Sequence, residues 1–144
     1  MGESTVGAVS VITWKPNLSV GIADVDEDHK KLIKMINRLF GAALSPQPGQ
    51  ILGDVLEELT RYVVFHFNRE EEYMRRFDYP GFVEHKKEHE RLIDTATRFK
   101  RNLDSGLAMN LKDEIEKSLR DWLVVHIQGQ DRHLGHFLNE QGVK

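Results

Sequence analysis

The chain has 144 residues, 40% hydrophobic and 30% charged, which suits one domain with a real apolar core. Its 20 basic and 23 acidic residues are mixed along the sequence for a net charge of -3, so no basic face is offered to a phosphate backbone and nucleic acid is excluded as a partner. The absence of cysteine excludes disulfides, thiolate metal sites and a cysteine nucleophile, and it suits a reducing compartment.

From Met1 to Trp14 there is an acid at Glu3, no basic residue before Lys15 and too short an apolar run for a signal peptide. Nothing approaches the roughly 20 apolar residues of a membrane span. The expected location is therefore the cytoplasm, without a membrane partner. Residues 1–22, with Trp14 and Pro16, read as an arm lying across the rest of the molecule.

Beyond the arm, three breaks cut the chain: Ser45-Pro46-Gln47-Pro48-Gly49, Asp78-Tyr79-Pro80-Gly81, and Asp104-Ser105-Gly106. Each segment between them repeats apolar residues at helical spacing. The first runs through Val25, Leu32, Ile33, Ile36, Leu39 and Phe40, with Asp24 or Asp26 available as N-cap. His29 interrupts its buried stripe. The second runs through Leu52, Val55, Leu56, Leu59, Tyr62, Val63 and Met74, and His66 and Glu70 fall within the stripe. In the third, Phe82, Leu92, Ile93, Ala96, Phe99 and Leu103 enclose His85 and His89. The fourth follows Leu111, Ile115, Leu119, Trp122, Ile127, Leu134 and Leu138, in step with His126 and Asp131. Short connections between long amphipathic helices predict an all-α, up-down-up-down antiparallel four-helix bundle over residues 23–144.

Five of the seven histidines thus point inward with two carboxylates. A lone inward histidine is usually a hydrogen-bonded core residue, but burying seven such groups without partners would cost several kcal/mol each, against a total stability of about 5–15 kcal/mol. A metal centre satisfies them together. Residues four apart differ by about 40° around a helix, so His66 with Glu70 and His85 with His89 form two preformed pairs. His126 and Asp131 are five apart, about 140°, and converge only if the fourth helix widens between them into a π-type turn, which Gly129 would ease. Seven ligands exceed what one zinc takes, and imidazole with carboxylate suits iron rather than calcium or magnesium. If Glu70 and Asp131 bridge two ions that also share an oxide or hydroxide, five histidines leave one ion six-coordinate and the other with an open position.

The series His29, His66-Phe67-Asn68-Arg69-Glu70, His85-Lys86-Lys87-Glu88-His89 and His126-Ile127-Gln128-Gly129-Gln130-Asp131 resembles the hemerythrins, most closely the bacterial single-domain form. The likeness runs from Trp14 to near the end, and Ser19-Val20-Gly21-Ile22, Glu71, Met74, Tyr79-Pro80 and Trp122-Leu123-Val124-Val125 agree with it. A hemerythrin is itself a known example of the up-down-up-down bundle. The resemblance implies that His85, His89 and His126 hold the saturated iron, His29 and His66 the iron with the open position, and that Glu70 and Asp131 bridge. It also implies reversible dioxygen binding at a non-heme di-iron centre, without catalysis, for storage or delivery. Leu32, Phe67, Trp122 and Val124 would then surround the open iron, although core packing alone would also account for them. The partners implied are dioxygen and an oxygen-requiring enzyme that receives it, with the chain acting as a monomer.

Asp28 departs from the family pattern, which usually has glutamine before the first histidine, and the arm is longer than in the shortest members. Neither departure is expected to touch a ligand. A dioxygen- or redox-sensing domain of a signalling protein is the main alternative, and the lack of an output segment after Gln141-Gly142-Val143-Lys144 speaks for a free carrier. His85-x-x-Glu88-His89 also matches the pattern of inverted zinc peptidases, which would require Glu88 to face inward. The Glu-x-x-His pairs of ferritin-like oxygenases are absent. His133 and His136 are expected to be solvated or to lie just behind the ligands.

Overall fold

A computed structural model describes residues 12–45, 49–104, 113 and 115–144; side chains at 49, 50, 103, 104, 115, 116, 118, 121 and 122 are outside that description. Four helices make up the fold, and no strand occurs among the described residues. They are α1 (Ala23–Ala43), α2 (Gly49–Arg76), α3 (Phe82–Asp104) and a composite fourth helix. The fourth comprises Ile115–Arg120 and Ile127–Asp131 in π geometry and Asp121–His126 and Arg132–Glu140 in α geometry. α1 packs against α2 and α2 against α3, and α1 also packs against the start of the fourth helix.

The apolar stripes meet in one core. Leu39, Leu52 and Leu138 are fully buried, and Val25, Ile36, Leu56, Met74, Phe99 and Leu134 surround them. The α2–α3 turn follows from local hydrogen bonding. Tyr79 N–H donates to Met74 O at 2.9 Å and Asp78 N–H to Arg75 O at 3.4 Å, a Schellman closure. Asp78 takes the left-handed seat, with φ +53°, that glycine usually fills, and Pro80 prevents the helix from resuming.

The N-cap of α1 is Ile22, which offers no side-chain cap, and neither Asp24 nor Asp26 occupies that position. Asp26 instead accepts hydrogen bonds from Ser19 Oγ and Val20 N–H, tying the preceding segment to the helix rather than ending it. That segment packs tightly. Leu18, Val20 and Ile22 are buried, Asn37 pairs with the Ile12 backbone at 2.9 and 3.1 Å, and the Arg132 guanidinium donates to Asn17 O. A Cβ at Gly135 would stand 2.0 Å from Val20 O, so only glycine lets the strand-like segment lie against the fourth helix. Residues 1–11 of the expected arm, Leu111 and the side chains of Leu103, Ile115 and Trp122 lie outside the described residues.

Candidate metal centre

Histidine and carboxylate side chains from all four helices meet at one level of the bundle. His29 comes from α1, His66 and Glu70 from α2, His85 and His89 from α3, and His126 and Asp131 from the fourth helix. None is more than 3% exposed. One helical turn aligns His66 with Glu70 and His85 with His89. The π segment Ile127–Asp131 aligns the last pair, bringing His126 Nε2 to 3.1 Å from Asp131 Oδ1. A Cβ at Gly129 would meet nothing within 4 Å, so space does not demand glycine there; its weak helix preference merely lowers the cost of the wide turn.

Each carboxylate divides its oxygens between two sets of histidines. Glu70 Oε1 lies 2.9 Å from His89 Nε2 and 3.3 Å from His85 Nε2, whereas Oε2 lies 3.1 Å from His66 Nε2 and 3.6 Å from His29 Nε2. Asp131 Oδ1 lies 2.9 Å from His85 Nε2, and Oδ2 the same distance from His29 Nε2. The donors form two groups with the carboxylates in common: Glu70, His85, His89, His126 and Asp131, and His29, His66, Glu70 and Asp131. Within each group the ligand atoms lie within 4.8 Å of one another.

Several of these atoms are buried without a hydrogen bond, among them His29 Nε2, His66 Nε2, His85 Nε2, Glu70 Oε2 and both Asp131 oxygens. Inward lone pairs left in this way cost several kcal/mol unless a cation sits among them. Burial would push Glu70 up, but the charge and hydrogen bonds of His66, with those of His29 and His85, hold it well below the usual carboxylate range. Asp131 is likewise lowered, by His126 and His29 against burial and the charge of Glu70. Burial alone would lower the histidines, yet the carboxylates raise His66 and His85 to about 10 and His29 above its ordinary value. The cluster therefore demands positive charge, from protons or from metal. Residues and geometry fit a pair of cations that favour nitrogen and oxygen donors.

A family model, the hemerythrin HHE cation binding domain, matches residues 20–138. The chain belongs to the hemerythrin family. It is 31% identical to a bacteriohemerythrin of Stenotrophomonas maltophilia, over 92% of this chain and 90% of that one. It is 30% identical to a bacteriohemerythrin of Methylococcus capsulatus, over 91% of this chain and 99% of that one. A crystal structure of wild-type hemerythrin superposes with a TM-score of 0.80 at 31% identity, over 86% of this chain and 95% of that one. Hemerythrin membership carries a non-heme di-iron centre with it, and the cluster here is able to hold metal.

Two residues behind the cluster escaped the sequence reading. Asp28, expected to touch no ligand, is buried, and its Oδ2 accepts a hydrogen bond from His66 Nδ1 at 2.9 Å. Burial would raise Asp28, but bonds from His66 and Tyr62 and the charge of Arg69 bring it below its ordinary value. Glu71 similarly accepts from His89 Nδ1 at 2.9 Å. The signal for both was their place beside a ligand on a helix, but which carboxylate reaches which ring depends on the neighbouring helix.

Other expectations resolve individually. Glu88 pairs with Arg91 at 2.7 Å near the surface, away from the cluster, so the peptidase arrangement is not formed. His133 and His136 are exposed. Leu32 and Phe67 line an apolar cavity beside the cluster, and Phe67 stacks on His89 with ring centroids 3.8 Å apart. Val124 does not reach this cavity: it lines a groove with Leu18, Arg120 and Gln128, and Leu123 stands at the cavity instead. Positions two apart on a helix face nearly opposite ways, whereas positions three apart share a face, so Leu123 and not Val124 accompanies His126.

Proposed function

We propose that His29, His66, Glu70, His85, His89, His126 and Asp131 hold two iron ions, with Glu70 and Asp131 bridging, and that the chain binds dioxygen there reversibly for storage or delivery. On this reading residues 23–144 form the di-iron unit and residues 1–22 an arm against it. The observation that carries the assignment is the division of oxygens: each carboxylate turns one toward each histidine set. When bound, the iron pair supplies reversible electron exchange with dioxygen.

The protein's part is to shape and dry the approach. The cavity has about 30 Å³ of room, against roughly 10–15 Å³ for one water by the same measure, so a diatomic molecule fits. Its walls include Leu32, Ile36, Leu59, Phe67, Leu92 and Phe99. The Thr60 and Thr95 hydroxyls, also in the wall, donate to Leu56 O and Arg91 O of their own helices, which leaves the cavity poor in donors. Such a lining favours a small apolar gas over water. Both histidines of the two-histidine set, His29 and His66, border the cavity, whereas of the three-histidine set only His126 does, which supports the two-histidine side as the one that receives dioxygen.

The likeness to bacteriohemerythrins over 91–92% of this chain supports a carrier over a sensing module. No described helix is long and apolar enough to cross a membrane. An oxygen-requiring enzyme as recipient, a monomeric state and a cytoplasmic location complete the proposal. Iron analysis together with absorption spectra under anaerobic reduction, air and renewed deoxygenation tests it. Two irons per chain and a spectrum that appears with air and disappears on deoxygenation are expected; one zinc per chain and no iron after iron-replete expression would refute it.

A further inference from the structure

The two histidine sets are each backed by one carboxylate, and the backing differs in kind. His89 leans on Glu71, whose side chain is 12% exposed. His66 leans on Asp28, 4% exposed and gripped from three sides: His66 Nδ1 at 2.9 Å and Arg69 Nε at 3.0 Å share Oδ2, and the Tyr62 hydroxyl donates to Oδ1 at 2.8 Å. His29, the other histidine of that set, has a buried Nδ1 with no hydrogen-bond partner. The cavity is bordered by both histidines of this set and by His126 alone of the other.

We infer that Asp28 is a positioning residue for the di-iron centre: it fixes His66 as the tautomer protonated on Nδ1 and makes it the stronger imidazole donor on the side that receives dioxygen. The inference rests on the proposed di-iron site. A carboxylate accepts but never donates, so the shared proton belongs to Nδ1 and the Nε2 lone pair is left for metal. The negative charge behind the ring increases its donor strength and stabilises ferric more than ferrous iron, because the Coulomb gain grows with ionic charge. The glutamine usual in the family could accept the same hydrogen bond but would bring no charge. Asp28 therefore weights its iron toward the oxidised form relative to a family member with the amide.

The substitution Asp28→Asn isolates the charge. The amide oxygen can still accept from His66 and Arg69, and the amide N–H₂ can donate to Tyr62 once that hydroxyl rotates. In this variant and in Asp28→Gln, ferrous affinity is expected to fall about 10–100-fold, with the midpoint potential moving positive and the iron ligand-field bands shifting. Tyr62→Phe keeps the charge and is expected to stay near wild type in all three readouts. Unchanged affinity and potential in both Asp28 variants would overturn the inference while leaving the di-iron reading intact, and equal shifts in Tyr62→Phe would also overturn it, by tracing the effect to packing. A wild-type chain that takes up no iron would overturn both.

Discussion

The two halves of the cluster share their carboxylates but little else. The half with His85, His89 and His126 has five donors from three helices, and Phe67 is stacked against His89. The half with His29 and His66 has four donors and borders the apolar cavity with both histidines. Near-equivalent ligands thus have unequal surroundings: the first half meets the cavity through His126 alone among its histidines, and the second meets it through both of its histidines.

Removing a bridge should abolish the comparison altogether. In Glu70→Ala both halves lose a donor, and iron content is expected to drop from two per chain to one or none, measured by metal analysis after gel filtration. Deleting one partner from a buried charged cluster also costs about 3–5 kcal/mol, which urea unfolding of the metal-free variant would register. Two tightly held irons in Glu70→Ala would contradict the bridging role.

Acid and base should separate the metal-free protein from the loaded one. His66 and His85, raised to about 10, contribute stability that is complete below the ordinary value of 6.5 and is lost as pH rises toward 10. Glu70 and Asp131, both lowered, contribute stability that is present above their ordinary values of 4.5 and 3.8 and lost as pH falls below them. Unfolding of the metal-free chain should therefore show greatest stability between about pH 4.5 and 6.5. Iron needs neutral imidazole, so the loaded protein should instead lose metal across that mildly acidic range. Parallel pH profiles for the two forms would contradict the cluster's electrostatics.

Opening the dry side should have a smaller effect, confined to one half. Leu32→Ala and Phe67→Ala are each expected to lose about 2–5 kcal/mol of stability, to keep both irons and to autoxidise several-fold faster. Decay of the oxygenated absorption band in air measures this, and equal rates across the set would reduce both residues to core packing. Smallest of all should be His133→Ala and His136→Ala, exposed histidines outside both halves. Iron content should be unchanged and stability within about 0.5 kcal/mol of wild type.

Much of this arrangement was legible in the residues themselves. Helical spacing located the helices, interruption of the stripes located the inward histidines, and the five-residue gap between His126 and Asp131 required the wide turn that the structure contains. What remained hidden depends on neighbours rather than on spacing. Asp28 and Glu71 gain their roles from rings on α2 and α3, and no pattern along α1 or α2 alone names the partner. Asp26 looked like a helix cap because acids favour that position, but the segment before α1 competes for its oxygens. The resemblance sets Val124 beside the open iron, but angular phase turns Leu123 to the cavity and Val124 to the groove with Leu18.

The wide turn at Ile127–Asp131 also settles a matter of phase far from the metal. Nineteen residues separate buried Leu119 from buried Leu138, and at about 100° per residue a regular helix would end about 100° away from where it began. One residue absorbed in a wider turn cancels that drift, so the stripe at the start of the helix and the stripe at its end address the same core. The same residues wound in regular α geometry throughout would be forced to choose: keep Leu134 and Leu138 in the core and swing Leu119 and Leu123 outward, or the reverse. The irregularity that closes the ligand set is thus also what keeps a long helix in register with its three neighbours.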